Sequence, residues 1–224
     1  METLSRLALR IFAAVFLSAS ALSAQVSGDV GKVLQVQGRV KDGDAQNLAK
    51  DDPIRIGQDI RTLRGSKIQM SFDGDGQLLL YERTRVVMQE PGPADDRHSE
   101  CSQREVVARI KLLSGTLMLD HDPHKKDRRP RILEVETPDG FICLFGTSIQ
   151  VQVDPHFGTG VFVWMTGAWV RHRDSKDWVK LEGREQTLVR LGEKLRVTRS
   201  KHGLTLPEWD SRFLDSPLLD LFLP

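Results

Sequence analysis

Residues 66–72 read Ser-Lys-Ile-Gln-Met-Ser-Phe, and residues 147–153 read Thr-Ser-Ile-Gln-Val-Gln-Val. In the first stretch Ile68, Met70 and Phe72 occupy every second position, with Lys67, Gln69 and Ser71 between them. In the second, Ile149, Val151 and Val153 alternate with Gln150 and Gln152. An extended backbone turns successive side chains to opposite faces, so an apolar set at period two is the buried face of a half-buried strand.

The same reading extends in both directions. Short strands are expected at 30–36, 37–41, 56–63, 77–81, 85–89, 105–112, 115–119, 131–136, 140–144, 160–165, 168–173, 177–181, 186–190 and 194–197. Turn residues separate them: Asp42-Gly43-Asp44, Asp73-Gly74-Asp75-Gly76, Asp139-Gly140 and Thr166-Gly167. Gly and Asx tolerate the positive φ that tight hairpins need. Sustained 3.6-residue periodicity is absent, although Ala45 to Lys50 suggests one helical turn before Pro53. The fold expected is all-β, either a short-stranded twisted sandwich or a β-solenoid-like stack with glycines at its bends.

The first 24 residues have a different grammar. Arg6 and Arg10 precede the apolar run Ile11 to Leu17, and Ala19-Ser20-Ala21 and Leu22-Ser23-Ala24 offer small-residue cleavage sites. This is the pattern of a secretory signal peptide, and the run is short for a bilayer span. A periplasmic address follows, with membrane contact only through an uncleaved signal. Three units are expected: a signal at 1–24, an all-β domain at 28–200 and a tail at 201–224 that carries Trp209, Phe213 and a Leu-rich end. That tail is read either as a short helix packed back on the domain and interrupted at Pro217, or as a segment that docks on a partner.

Residues 1–24 hold one acidic and two basic side chains, so their removal leaves equal numbers of each sign in a chain that starts at net +1. A balanced charge argues against a nucleic-acid partner, which requires a basic face to displace counterions. Export to an oxidising compartment makes a disulfide between the two cysteines, Cys101 and Cys143, one reading; two separately buried thiols is the other.

Each candidate for chemistry has a plainer alternative. Asp73-Gly74-Asp75-Gly76 resembles the start of a calcium loop, but the twelfth position is Thr84 and strands flank it, so a hairpin turn is expected. His98-x-x-Cys101 and His121-x-x-His124 lie in polar stretches without the spacing of a metal centre. Lys125, Lys126, Arg128, Arg129 and Arg131 form a basic stretch that suits either a solvated hairpin tip or contact with anionic glycans or lipid head groups. Trp164, Trp169 and Trp178 fall on neighbouring strands, as core residues or as an aromatic platform for a glycan or protein. No nucleophile elbow, ordered triad or phosphate loop appears, so no enzyme activity and no cofactor are expected.

Two blocks carry a family resemblance. The first is Gly57, Asp59, Ile60, Thr62, Gly65, Ser66, Phe72, Asp73 and Gly74. The second is Gly115, then Thr137-Pro138, Gly146-Thr147, Val151, Gly167 and Trp169-Val170, in which seven residues separate the Thr-Pro and Gly-Thr pairs. Together they resemble the FecR domain over about residues 30–198. The sequence departs from the family pattern at Phe145, where an Arg is usual, and at Tyr81 to Thr84. FecR-like regulators join a cytoplasmic sigma-factor-binding segment and a membrane helix to a periplasmic β-rich part. A signal peptide stands in their place here. The resemblance therefore implies a free-standing periplasmic FecR domain that binds a protein partner in the envelope, with a glycan- or peptidoglycan-binding module as the alternative.

Overall fold

The structure, a computed structural model, describes residues 28–43, 46–72, 76–90, 98–102, 105–121, 131–145, 148–190 and 192–199. In chain order the strands are β1 (Asp29–Gln37), β2 (Val40–Asp42), β3 (Gln46–Asn47), β4 (Pro53–Arg55), β5 (Asp59–Thr62), β6 (Lys67–Phe72), β7 (Gly76–Leu80) and β8 (Arg85–Gln89). After the short helix α1 (Ser99–Ser102) come β9 (Glu105–His121), β10 (Arg131–Glu136), β11 (Gly140–Phe145), β12 (Ser148–Asp154) and β13 (Gly158–Val163). The last are β14 (Gly167–His172), β15 (Trp178–Glu182), β16 (Glu185–Val189) and β17 (Arg196–Arg199).

These strands form two open sheets that share β9. In the first sheet the order is β4-β1-β6-β7-β9-β12-β13-β16-β17. In the second it is β3-β2-β5-β8-β9-β10-β11-β14-β15. Every pairing is antiparallel except β9 with β10. The chain shuttles between layers, so consecutive hairpins face each other across the core. The result is a sandwich with a solenoid-like path, and the all-β expectation holds.

The period-two pattern places the core. Buried and half-buried residues alternate strictly along β6, with Ile68, Met70 and Phe72 inward. Ile149, Val151 and Val153 point the same way from β12. Ile60, Val86, Ile110, Leu133, Ile142 and Val170 meet them from the second sheet in one continuous cluster. Each fully buried aliphatic chain contributes about 1.5–3 kcal/mol relative to exposure, so this layer dominates the stability.

Three local expectations change. Residues 56–63 are not one strand, because Gly57 turns at φ 88° and separates β4 from β5. Residues 105–112 and 115–119 are halves of one 17-residue strand. Residues 46–47 form β3 where a helical turn was expected, because Lys41 and Asp42 of β2 offer a sheet edge to pair with. On either side of the Asp-Gly run β6 and β7 pair antiparallel, with Phe72 opposite Gly76. The tail at 201–224 and the signal at 1–24 lie outside the described residues, as do Asp73, Gly74, Arg128, Arg129, Gly146 and Thr147.

Candidate functional site

The described family-motif residues cluster where strands change sheets. A crossing strand breaks its own ladder, and the orphaned backbone groups need other partners. The hydroxyls of Thr62 and Thr84 supply them. Thr62 Oγ1 accepts from the Thr84 amide at 2.8 Å and donates to the Tyr81 carbonyl. Thr84 Oγ1 accepts from the Thr116 amide at 2.9 Å and donates to the Thr116 carbonyl at 3.0 Å. Gly115 sits at φ 86° against Thr84, at the bend where β9 passes from the second sheet to the first.

The neighbouring motif residues act in the same way. Asp59 accepts from Arg85 Nε at 3.0 Å and Nη2 at 2.6 Å across the β5–β8 pair. That hydrogen bond holds its carboxyl below the ordinary value, and the charges of Arg85 and Arg61 add to it. Ser66 Oγ accepts from the Arg39 amide at 2.9 Å, and the Gly65 amide donates to Glu82. Thr137 Oγ1 accepts from the Gly140 amide at 3.1 Å and lies 3.0 Å from Thr159 Oγ1, which in turn donates to Asp139 at 2.7 Å. Pro138 falls in that turn, and buried Gly167 opens β14. These side chains are occupied in holding corners together.

A cleft of about 440 Å³ beside the Pro138 turn contains Asp154, His156, Arg190 and Glu193. Its polar groups maintain the turn between β12 and β13: the His156 and Phe157 amides donate to Asp154, and Arg190 Nε donates to the Phe157 carbonyl at 2.7 Å. Among the described residues no three His, Cys, Asp or Glu side chains are placed to hold a metal ion. None of their helices is long and apolar enough to cross a membrane.

The outer face of the second sheet is where charge and aromatic surface come together. Register places Arg109 and Lys111 of β9 beside Glu134 and Glu136 of β10. It then places those carboxylates beside Cys143 and Phe141 of β11, followed by Trp169 and Arg171 of β14, and Lys180 and Trp178 of β15. Arg109 binds Glu134 at 2.9 Å, with both side chains largely buried. Lys111 and Arg173 reach Glu136 at 3.3 and 3.1 Å. The Arg171 guanidinium lies 4.6 Å from the Phe141 ring centre and 5.2 Å from Trp178. Arg173 stands over Phe141 at 4.9 Å.

Burial pushes the Glu136 carboxyl up, but the Arg173 hydrogen bond and the Lys111 charge outweigh it, so its value falls below the ordinary one. A carboxyl depressed in the folded state stabilises above its unfolded value, and that stability disappears as pH falls through the folded value. For Glu136 and Asp59 the melting temperature should therefore hold down to about pH 5 and drop below about pH 4, given an unfolded carboxyl near 4. Glu136→Gln should flatten this acid limb in thermal melts. A melting curve with the same acid dependence in both proteins would rule out the linkage.

A disulfide closes one end of this face. Cys101 of α1 and Cys143 of β11 are bonded across 42 residues, with a Cα separation of 6.5 Å, and both are buried. The bond holds α1 against the sheet. His98 stacks on Trp169 with centroids 3.6 Å apart and meets Trp178 edge-on at 6.2 Å, while Trp169 Nε1 donates to Glu100 at 3.3 Å. Cys101 is thus committed to sulfur rather than to a metal.

The three tryptophans do not form one platform. Trp169 and Trp178 share this cluster, and Trp169 already carries His98 on its ring. Trp164 follows β13 on the opposite side of the molecule, against Phe162. Sequence reasoning missed Phe141, Arg171, Arg173 and Glu136. The alternation in β11 and β14 could have placed Phe141 and Arg171 outward. The parallel β9–β10 pairing that brings Lys111 to Glu136 leaves no local signal.

An all-β sandwich whose polar motif residues stitch its corners, with one face of mixed charge and aromatic rings, is the class that this geometry defines. Residues 58–163 match the model of the family described as FecR protein, and the chain carries a FecR domain there. Two crystal structures of a candidate anti-sigma factor from Parabacteroides distasonis, at 1.65 and 2.50 Å resolution, are similar in fold at 14% identity. Their TM-scores are 0.46 and 0.47, over 63% of this chain and 59% of theirs, so the chain spans less than two thirds of their length. No curated protein matches the chain.

Proposed function

We propose that this chain is a non-catalytic interaction or sensing module that works in the periplasm after its signal peptide is removed, and that its partner is a protein of the cell envelope. The observation that supports this reading most is the FecR domain over residues 58–163, in which the family-motif side chains are taken up in corner hydrogen bonds. That leaves the outer face of the second sheet as the surface with recognition chemistry. Among the described residues its edge is β15, where Trp178 and Lys180 stand beside a flank that no described strand pairs. An extended segment of a partner can add to such an edge through main-chain hydrogen bonds, with flanking side chains setting its identity.

The test is capture from envelope extracts on the immobilised mature chain, run beside a Trp178→Asp/Lys180→Glu variant that melts at the same temperature. The expected result is a reproducible protein that the variant loses. Failure to recover one, or recovery by both proteins equally, counts against this surface. Co-sedimentation with purified peptidoglycan instead would transfer the reading to a glycan ligand. Cell fractionation that leaves the chain in the cytoplasm would remove the address.

A further inference from the structure

The two ends of the second sheet handle charge differently. Towards β14, Arg109, Lys111 and Arg173 are neutralised by Glu134 and Glu136. At the other end, register sets Lys41 of β2 opposite Arg61 of β5, and Arg61 opposite Arg85 of β8. Their neighbours Val40, Thr62 and Val86 are buried, so the three cations share the outer face. The same register continues past the buried Thr62 to Leu63, whose amide donates to the Arg39 carbonyl at 3.2 Å. Arg39 and Arg83 lie on either side of Leu63, and Arg64 follows it; all three arginines are exposed.

The carboxylates at this end are already committed. Asp59 is held by Arg85 through Nε at 3.0 Å and Nη2 at 2.6 Å, and Arg61 adds only its charge. Asp42 accepts from Gln58 Nε2 at 2.8 Å, and Glu82 accepts from the Gly65 amide. Among the described residues, Arg39, Lys41, Arg61, Arg64 and Arg83 form no ion pair. Like charges directly opposite on neighbouring strands, about 4.8 Å apart, repel and destabilise the sheet. An anion laid across β2, β5 and β8 would relieve that repulsion.

We propose that the outer face of β2, β5 and β8 is a docking surface for an acidic polypeptide segment. The proposal rests on the reading of this chain as a protein-binding module, but not on the β15 edge, which lies at the opposite end of the same sheet. Three observations favour a polypeptide. Guanidinium groups predominate, and their planar fork matches a carboxylate through two parallel hydrogen bonds, as Arg85 does with Asp59. Half-buried Leu63 stands among the cations, where an apolar side chain of the same segment can lie. The exposed large apolar residues among those described, Met165 and Val197, are both elsewhere, so this end has no apolar anchor for a lipid surface.

The probe is poly-L-glutamate, titrated into the full mature chain at low and at physiological salt. It should bind, with an affinity that falls as salt screens the charges. Arg61→Gln/Arg83→Asn should weaken binding about tenfold, through the loss of two charge-assisted contacts. Asparagine replaces Arg83 because that residue holds φ at 55°. Lys32→Gln/Lys194→Gln removes the same charge from exposed positions away from this surface and should leave the affinity unchanged. Should the arginine variant melt early, Arg39→Gln/Lys41→Gln takes its place and should show the same loss. No binding, or an equal loss in the arginine and lysine variants, overturns the proposal. So does tighter binding to phosphatidylglycerol vesicles than to polyglutamate, because the surface would then be directed at lipid. The titration does not involve the β15 edge, so failure to capture an envelope protein there leaves this surface standing, and failure of polyglutamate leaves that edge standing.

Discussion

Replacing Gly115 with alanine should cost about 2–5 kcal/mol. Two effects add. The residue holds φ at 86°, a backbone region that costs a non-glycine residue about 1–2 kcal/mol. A Cβ placed there would also stand 2.5 Å from Thr84 Cα and 2.7 Å from the Arg83 carbonyl oxygen, both backbone atoms that cannot swing aside. Overpacking of that kind costs about 1–3 kcal/mol. The displaced Thr84 hydroxyl is the one that satisfies both backbone groups of Thr116, so the crossing of β9 between sheets loses its stitch as well. Gly57→Ala is the internal control. Gly57 has a similar φ of 88° but nothing within 4 Å of the added atom, so it should show the backbone cost alone. Denaturant unfolding of both variants measures the difference. Equal losses would mean that the bend at Gly115 yields without strain, and that the threonine ladder is not what fixes the two sheets to each other.

The contrast between those glycines bears on what the sequence could disclose. Both stand in the family pattern, Gly57 within an expected strand at 56–63 and Gly115 at the start of one at 115–119, and nothing in the linear chain says which of them has room for a side chain. Only the second layer, brought by Thr84 from 31 positions upstream, separates them. Strand identity was legible because the period-two signal is local: Ile68, Met70 and Phe72 carry it within seven residues. Where a hydrogen-bonding edge decided the outcome, local reading erred. Gln46 and Asn47 became β3 because β2 offered them an edge, and 105–121 stayed one strand because Gly115 bends rather than ends it.

The candidate surface was less legible for the same reason. Trp169 and Trp178 are nine residues apart and could be placed on adjacent strands, but their joining with His98 depends on a disulfide that spans 42 residues. Glu136 looks like one of many carboxylates. Its partner Lys111 comes from β9 across the parallel pairing and its partner Arg173 from the turn after β14, and long-range contacts of this kind leave no periodic trace.

Removal of the Cys101–Cys143 bond, as Cys101→Ala/Cys143→Ala, should destabilise the chain by about 4 kcal/mol on the loop-entropy model for a closure of 42 residues. Four kilocalories is a large share of the roughly 5–15 kcal/mol that a domain possesses, so the midpoint of denaturation should move far to lower denaturant. The loss should also be local. Within α1 and His98, the contacts to the sheet besides the bond include one ring stack on Trp169, one edge-on contact with Trp178 and one 3.3 Å hydrogen bond from the Trp169 indole to Glu100. Four helical residues are too few to hold themselves together in water, and such exposed contacts contribute about 1 kcal/mol each. With the bond gone, His98 should leave the Trp169 ring before the sandwich opens, giving a tryptophan fluorescence change at lower denaturant than the loss of β-sheet circular dichroism. In the bonded chain the two signals should coincide. Both sulfurs are sealed, at 0% and 1% exposure, so a dithiol reductant must wait for α1 to lift before its thiolate can attack. Reduction of the intact protein should therefore be slow at low denaturant and accelerate with it. Fast reduction in water, or coincident transitions in the alanine pair, would mean that α1 is held by something other than this bond.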